Sequence, residues 1–488
     1  MTANLYAALP EIILALGSIF ALMFCVYQNS ARVAMSYSTK ISSLVILASL
    51  LSTVIVTPVN GLYFNQLFIV DDFSVFVKIL LIFSAALVLI LTCSYLEEED
   101  NKIGWEYPIV LVLSLLGMLI MVSSNNMLTL YMGLELQSLS LYILAASKRE
   151  DKHASEAAIK YFILGALASG ILLYGISLVY GYTGSTSLSK IAVVFTEGQT
   201  ASNGVVVGLV LIAVGLCFKI SAAPFHMWTP DVYEGVPTPV TAYFAIVPKL
   251  AAAALFVRVF GEAFVNISAQ WQQILIIISL LSMMVGAFGG LKQNNIKRLL
   301  AYSSIGHMGY ILMGVASSSI EGVQSLLTYF VVYIFNSLAI FAVVLSLRIR
   351  QGNDESGIEN IDHLKGLAKT NPILAMMFAL MMVSMIGLPF PPFAGFFGKF
   401  FVFGAAINSE LYTLAVIGVL TSVVAAFYYL KIIKLIYLDK PADNVRVLKS
   451  NNPIFSFIIG ICAIVSLVIF LYPSLILGAS YIAASSIF

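Results

Sequence analysis

The chain has 488 residues, of which 60% are hydrophobic and only 10% are charged, and its formal net charge is +1. Soluble proteins carry about a quarter charged residues, so the composition excludes a soluble protein. A net charge close to zero, with no basic or acidic tail, also gives no reason to expect a nucleic-acid partner.

The apolar runs predict an all-α integral membrane protein with about fourteen transmembrane helices, because each run approaches the roughly 20 residues needed to cross a bilayer core. The first run lacks a basic leader and a small-residue cleavage site, so we expect a retained helix rather than a signal peptide. In chain order the predicted spans are 7–27, 41–57, 73–92, 108–123, 127–146, 157–181, 205–226, 239–259, 274–290, 299–316, 323–347, 372–407, 411–437 and 454–472.

Lysine and arginine lie almost entirely in the loops that follow odd-numbered helices. Cytoplasmic loops carry an excess of these residues, so the pattern predicts that these loops face the cytoplasm or matrix and that both termini face the other side. The loops after even-numbered helices hold only Lys190. The odd-numbered loops hold Arg32, Lys40, Lys102, Lys148, Arg149, Lys152, Lys292, Lys297, Arg298, Arg348, Arg350, Lys365, Lys369, Lys431, Lys434, Lys440, Arg446 and Lys449.

The twelfth predicted span is too long for one straight helix. It contains the run GLPFPPFAGFFGKF, which includes Pro389, Pro391 and Pro392. Splitting it into two spans would move the later basic cluster to the wrong side of the membrane. We therefore predict one discontinuous helix, which a membrane tolerates only where protein or water satisfies the freed backbone groups.

The seventh span contains a similar run, GLCFKISAAPFHMW, with Lys219 beside Pro224. Two interrupted segments in matching places suggest two related halves, roughly helices four to eight and nine to thirteen, as in transporters. Proline kinks are also common in membrane helices, and the sequence shows no convincing residue-level repeat. Both interpretations of the breaks therefore stay open at this point.

Five titratable residues inside the predicted spans are candidates for proton transfer: Glu135, Lys219, Lys249, His307 and Lys399. A charge in the middle of a bilayer costs about 2.5 kcal/mol or more, so its presence suggests a function. Burial disfavours a lysine charge and a nearby carboxylate restores it, while histidine titrates near neutrality unaided. Hydroxyls close to His307 in the sequence could support a water chain: Tyr302, Ser303, Ser304 and Tyr310.

Structural roles are the alternative for each candidate. Glu135 and Lys219 could be ion-pair partners between helices, and His307 could simply hydrogen-bond across helices. Lys249 and Lys399 have no acidic partner within their own helices, which favours a functional role. Residues near the span ends are expected to snorkel or to lie at the interface: Lys78, Lys160, Glu156, Arg258, Glu11 and Glu262.

Several runs of sequence are specific enough to indicate a family. The run NIKRLLAYSSIGHMGY at 295–310 resembles the antiporter-like membrane subunits of respiratory complex I, which are also similar to subunits of multisubunit sodium/proton antiporters. The run KISAAPFHMWTPDVYEGVPTPVTAYFAIVPK at 219–249 resembles the subunit N family of NADH–quinone oxidoreductase, called subunit 2 in mitochondria. The runs GLELQSLSLYILAASKR and EAAIKYFILGALASGILLYG agree with that family.

The resemblance implies fourteen helices with two inverted five-helix repeats, each with one broken helix, the seventh and the twelfth. The domains would be 1–106 (helices one to three), 107–262 and 263–440 (the two repeats) and 441–488 (helix fourteen). It implies that Glu135 and Lys219 form a proton-channel pair, that Lys249 is a central relay and that Lys399 belongs to the second broken helix. His307 matches a polar mid-membrane position.

The resemblance also implies proton translocation by the membrane arm of an enzyme complex, coupled to electron transfer from NADH to quinone. FMN, iron–sulfur clusters and quinone would belong to other subunits, with no cofactor here. The chain agrees, since its cysteines lie far apart and no GxGxxG motif follows a strand. Implied partners are the adjacent subunit M and the small subunits K and J, in a bacterial or mitochondrial inner membrane. Two alternatives remain: a cation/proton antiporter subunit and a purely structural subunit.

Overall fold

The computed structural model describes residues 2–55, 60–98, 103–195, 201–351, 354–389, 394–440 and 446–488, and these are mainly helical. In chain order the helices are α1 (Thr2–Ala7), α2 (Leu9–Val26), α3 (Ala31–Ile55), α4 (Asp72–Glu98), α5 (Tyr107–Val122), α6 (Met127–Ala145), α7 (Lys152–Thr183), α8 (Leu188–Val194), α9 (Asn203–Ile220), α10 (Trp228–Gly235), α11 (Thr238–Phe256), α12 (Ser268–Gly290), α13 (Ile296–Ala316), α14 (Ile320–Ser346), α15 (Leu367–Thr370), α16 (Pro372–Ile386), α17 (Gly395–Asn408), α18 (Tyr412–Tyr437), α19 (Pro453–Leu471) and α20 (Pro473–Ser485).

Short elements connect these helices. A π-helix (Val257–Ala263) continues α11, and 3-10 turns lie at Val265–Ile267 and Ile361–Leu364. The strands are β1 (Gly61–Tyr63), β2 (Phe68–Val70), β3 (Leu347–Gln351), β4 (Asp354–Gly357) and β5 (Arg446–Lys449). β1 and β2 pair as an antiparallel hairpin, and β3 lies between β4 and β5 in an antiparallel sheet.

Polar side chains mark where several of the long helices begin. Asn126, Asp151, Asn295, Ser319 and Asn452 each accept a hydrogen bond from a backbone N–H in the first turn of α6, α7, α13, α14 and α19. The first N–H groups of a helix have no partner within it, so these caps satisfy donors that would otherwise be costly near a membrane.

The predicted fourteen spans are confirmed. Within the described residues, twelve helices are long and apolar enough to cross a membrane. The shorter α5 adds one span, and α16 with α17 adds the broken twelfth one. The prediction ended the last span at 472 and missed α20, which follows it and packs on α14 and α4.

The basic loops lie together at one end of the bundle, which we call the basic end. Arg149 pairs with Glu106 at 2.5 Å, and Arg298 pairs with Asp231 at 2.8 Å. The pairing of β3 with β5 joins two more of these loops. We define the basic end by the described loop residues 103–106, 147–151, 292–295, 347–351, 354–371, 439–440 and 446–452.

Both described termini lie at the opposite end of the bundle. The N-terminal segment contacts the β1–β2 hairpin, where the Phe64 N–H bonds to Asn4. The C-terminal segment contacts the start of α4, where the Phe73 N–H bonds to Ser486 at 3.1 Å. This arrangement agrees with an even number of spans.

Two five-helix units occupy the middle of the chain. The first contains α5, α6, α7, the pair α9–α10 and α11, and the second contains α12, α13, α14, the pair α16–α17 and α18. In each unit the first helix packs on the second and the third packs on the broken one. α5 starts at the basic end and α12 starts at the opposite end, so the units have inverted orientations.

The centre of the molecule is formed by α11, α13 and α14, which are almost wholly buried. In contrast, α2, α3, α7, α18 and α19 expose rows of large apolar side chains. Such faces are normal where a helix meets lipid or another membrane subunit. Polar side chains on the three central helices are therefore screened from lipid by protein.

Candidate functional site

The seventh span is broken between α9 and α10. Ser221 adopts a left-handed conformation with φ of 64°, and the following Ala223 N–H bonds to Ser282 Oγ at 2.8 Å. The indole N–H of Trp228 donates to the carbonyl of Phe218 at 3.0 Å. Neighbouring protein groups therefore satisfy the backbone that the break frees, as a membrane interior requires.

The twelfth span is broken between α16 and α17. Gly387 ends α16 with φ of 85°, a conformation that glycine adopts without strain. The Gly395 N–H at the start of α17 bonds to Ser384 Oγ at 3.1 Å, and Asn336 donates to the same oxygen at 2.9 Å. Pro389 lies in the break, while Pro391 and Pro392 lie outside the described residues.

Each break places a lysine at the C-terminal end of the helix that precedes it. Lys219 lies in the last turn of α9. Lys399, on α17, reaches back and donates to the carbonyl of Ile386, the last residue of α16, at 2.8 Å. The C-terminal end of a helix carries partial negative charge, so both positions favour an ammonium group without a carboxylate partner.

The first polar cluster consists of Glu135, Ser138, Ser169 and Lys219. Lys219 Nζ donates to Ser138 Oγ at 2.7 Å and to Ser169 Oγ at 3.3 Å. Among the described residues, no ion pair within 4 Å joins Lys219 to Glu135, which lies almost one turn before Ser138 on α6. Its Oε1 is buried without a hydrogen-bond partner among the described residues. Glu135 and Lys219 are thus brought together around Ser138 rather than in a direct ion pair.

The second polar cluster consists of Lys249, His307 and Lys399 with the hydroxyl groups that they bind. Lys249 is only 1% exposed, and its Nζ donates to Ser304 Oγ at 2.5 Å. Lys399 Nζ donates to Ser422 Oγ at 2.6 Å.

His307 is held from both sides by tyrosines. Its Nδ1 is 2.6 Å from the hydroxyl of Tyr329, and its Nε2 is 3.0 Å from that of Tyr429. A small cavity of about 10 Å³ lies between His307 and Lys399. Its walls are mostly apolar, and its volume is at the lower limit for one water molecule.

Aromatic rings fill the space between the two clusters. Lys219 Nζ is 6.0 Å from the ring of Tyr142, and Lys249 Nζ is 5.4 Å from that of Tyr233. Tyr161 stacks on Trp228 with ring centroids 4.4 Å apart and contacts Tyr142 at 4.8 Å. These rings therefore lie between Lys219 and Lys249. On its other side, Lys249 is linked through Ser304 to Tyr333, whose ring contacts the imidazole of His307.

Several hydroxyl groups that bind the residues of the second polar cluster were not predicted from the sequence. Tyr329 and Tyr333 lie four residues apart within the run 329–335 of α14, whose other residues are apolar, and this spacing on one helix face was the available signal. Ser303 and Ser304 lie in the network as expected, through bonds to Tyr429 and Tyr333. Of the other hydroxyls expected near His307, Tyr310 is in ring contact with it, whereas Tyr302 packs on α12.

Two other buried charges were expected to snorkel, and that prediction is wrong. Lys78 is 3% exposed and pairs with Glu11 at 2.6 Å, which joins α4 to α2. Arg258 is fully buried and makes two bonds of 2.6 Å to Asp71, with a further ion pair to Glu262. In the part of the chain that the structure describes, no group of three or more His, Cys, Asp or Glu residues could hold a metal ion.

Comparison with known proteins places this architecture in one family. Residues 124–425 match the family described as NADH:quinone oxidoreductase/Mrp antiporter, TM. The NADH-quinone oxidoreductase subunit N of Parvibaculum lavamentivorans is 45% identical over 482 residues, covering 98% of this chain and 97% of that protein.

Two solved structures share the fold. A chain of respiratory complex I from Thermus thermophilus with bound aureothin is 29% identical, with a TM-score of 0.81, and the match covers 96% of this chain and 98% of that one. A chain of the Mrp complex from Dietzia has a TM-score of 0.83 at 20% identity, and the match covers 99% of this chain and 97% of that one. The sequence identity over nearly the full length decides the assignment: the chain belongs to the NADH-quinone oxidoreductase subunit N family.

Proposed function

We propose that this subunit moves protons across the membrane through Glu135, Lys219, Lys249, His307 and Lys399, as part of NADH–quinone oxidoreductase. The proposal depends chiefly on the partners of the three lysines. Each ammonium group binds hydroxyl or carbonyl oxygens, and among the described residues none has a carboxylate within 4 Å.

A lysine that only pins helices together would be expected to have a counter-ion, because an unpaired buried charge is expensive. Lys78 and Arg258 are paired in this way, and they lie outside both polar clusters. Lysines with only neutral partners can exist with or without the extra proton. That property suits a relay and argues against a purely structural subunit.

A cation/proton antiporter subunit is the alternative, since the family description covers both groups. The close relatives are named as subunit N, whereas the Mrp chain shares the fold at low identity. Copurification of the chain with flavoprotein and iron–sulfur subunits would support the oxidoreductase. Purification with antiporter subunits alone would contradict it.

The surroundings of the subunit follow from the same proposal. Its partners would be subunit M and the small subunits K and J, with FMN, iron–sulfur clusters and quinone in other subunits. It would lie in the cell inner membrane, with the basic end in the cytoplasm and both termini outside. The functional units would be residues 107–262 and 263–440, flanked by 1–106 and 441–488.

The test is to neutralise each buried lysine in the assembled complex. Lys219→Ala, Lys249→Ala and Lys399→Ala should each reduce NADH-driven proton pumping in inside-out vesicles at least roughly tenfold, because a positioned proton-transfer group contributes about 10²–10⁴-fold. Lys369→Ala, at an exposed lysine of the basic end, should pump normally. Normal pumping after all three buried lysines are neutralised would support a structural subunit instead.

A further inference from the structure

The hydrogen bonds that start at Lys249 run in one direction only. An ammonium group only donates, so Ser304 Oγ accepts from Lys249 Nζ. Tyr333 donates its single O–H to the carbonyl of Ala245 at 3.1 Å. It must therefore accept from Ser304 across their 2.8 Å contact. The chain of donors ends at a backbone carbonyl, which cannot pass a proton onward.

The hydrogen bonds around His307 can run in either direction. A neutral imidazole donates through one nitrogen and accepts through the other. In one tautomer, Nε2 accepts from the hydroxyl of Tyr429, which then accepts from Ser303 across their 2.5 Å contact. In the other tautomer, Nε2 donates to Tyr429, and Tyr429 donates to Ser303. His307 is thus able to switch, whereas the chain from Lys249 is blocked at Tyr333.

The cavity beside His307 supplies the missing connection. Tyr333, His307 and Lys399 all line it. Lys399 donates two hydrogen bonds, one to the carbonyl of Ile386 and one to Ser422 Oγ. A neutral lysine amine has two N–H groups and one lone pair, so it could make both bonds and still accept a proton on its lone pair. A water that enters this cavity when the Tyr333 hydroxyl turns into it would have Tyr333 as its donor and Lys399 as its acceptor.

We propose that Tyr333 is the gate between Lys249 and Lys399: its hydroxyl blocks proton transfer while bonded to Ala245 and permits it when turned into the cavity. This inference depends on the proposed function. In the open state Lys249 gives a proton to Ser304, Ser304 gives its own to Tyr333, Tyr333 gives its own to the cavity water, and that water protonates Lys399. Each hydroxyl gains one proton and loses one, Lys249 becomes neutral and Lys399 becomes charged.

Opening the gate requires only a small change. The tyrosine ring can stay in place against His307, where the ring centroids are 5.2 Å apart. Torsion about the C–O bond of the phenol turns the hydroxyl proton from Ala245 toward the cavity.

Tyr333→Phe tests the gate, because it removes the hydroxyl and keeps the ring. We expect the assembled complex to lose proton pumping at least roughly tenfold, in line with the effect of other proton-transfer groups. The matched control is Tyr243→Phe, which removes another buried hydroxyl bonded to a serine, Ser114, at 2.6 Å, away from both polar clusters. This control should pump normally.

Ser304→Ala interrupts the same chain without touching the tyrosine. It should pump as poorly as Tyr333→Phe, and the double variant should be no worse than the worse single one. Normal pumping in either single variant, or additive losses in the double, would overturn the gate. If Lys249→Ala stops pumping and Tyr333→Phe does not, the gate fails and the proposed function stands. If Lys249→Ala pumps normally, the proposed function itself fails.

Discussion

At the scale of residues, Lys219, Lys249 and Lys399 differ from the other buried cations in what they bind. Lys249 binds one serine hydroxyl, whereas Arg258 makes a two-pronged ion pair with Asp71. Arginine stays protonated under all conditions met in proteins, and its planar fork suits a permanent carboxylate partner. Arg258 therefore makes a fixed connection, as the Lys78–Glu11 ion pair also does, whereas Lys249 binds a neutral hydroxyl, as the proposed proton exchange requires.

Glu135 and Lys219 should act as one unit, because Lys219 binds Ser138 and Glu135 lies almost one turn before Ser138 on the same helix. Glu135→Gln and Lys219→Ala should each stall the same proton step. The double variant should then pump about as poorly as the worse single variant, since coupled groups are not additive. Proton pumping and quinone reduction measured in the three assembled complexes check this. Additive losses in activation free energy would contradict a coupled pair, even if both residues proved essential.

At the residue level, the sequence draws attention to charges and titratable groups inside apolar runs. Lys249 stands out because apolar residues flank it along the chain, and His307 stands out because it lies in the middle of a predicted span. Their partners could not be predicted, since packing brings together residues that are distant in sequence. The Arg258–Asp71 bonds, for example, join residues separated by 187 positions.

At the scale of elements, two glycines let α12 and α13 approach closely next to His307. A Cβ atom on Gly286 would lie 2.4 Å from the backbone nitrogen of Gly306. Backbone cannot yield as a flexible side chain can, so any side chain at Gly286 forces the helices apart. The close approach fixes the position of the helix that carries His307 and Ser304.

Gly286→Ala should therefore destabilise the protein, by about 1–3 kcal/mol if the core is overpacked in the usual way. The melting temperature of the purified complex, and the amount that assembles, would both fall. Gly170→Ala is the control, because a Cβ there meets nothing within 4 Å. Equal stability of the two variants would show that the α12–α13 contact has room to adjust.

The broken helices could be predicted because glycine and proline interrupt their apolar runs. Two smaller elements could not. α10 is a separate helix that begins after the break, where the sequence predicted only the end of a span. β4 follows β3 almost directly, but β5, which also pairs with β3, comes from a distant part of the chain. Short charged strands of this kind have no clear hydrophobic period.

At the scale of the whole molecule, the basic loops and the termini define two faces. A single cysteine at Lys369, on the basic end, should be shielded from an impermeant thiol reagent in intact cells. A single cysteine at Lys190, on the opposite end, should react. The positive-inside rule is the physical reason. Labelling at Lys369 from outside would reverse the proposed orientation.

The central claim is that a buried lysine must release its proton for pumping to occur. Lys249→Arg tests it most directly, because arginine keeps the positive charge but does not deprotonate. Lys297→Arg is the matched control: that lysine is also buried, but it binds the carbonyl of Val236 at the basic end and lies outside both polar clusters.

The measurement is the number of protons pumped per NADH oxidised by each assembled complex in inside-out vesicles. We predict that Lys297→Arg pumps normally and that Lys249→Arg falls at least roughly tenfold, as for the loss of a proton-transfer group. Normal pumping by Lys249→Arg would contradict the account, because a fixed positive charge would then be sufficient.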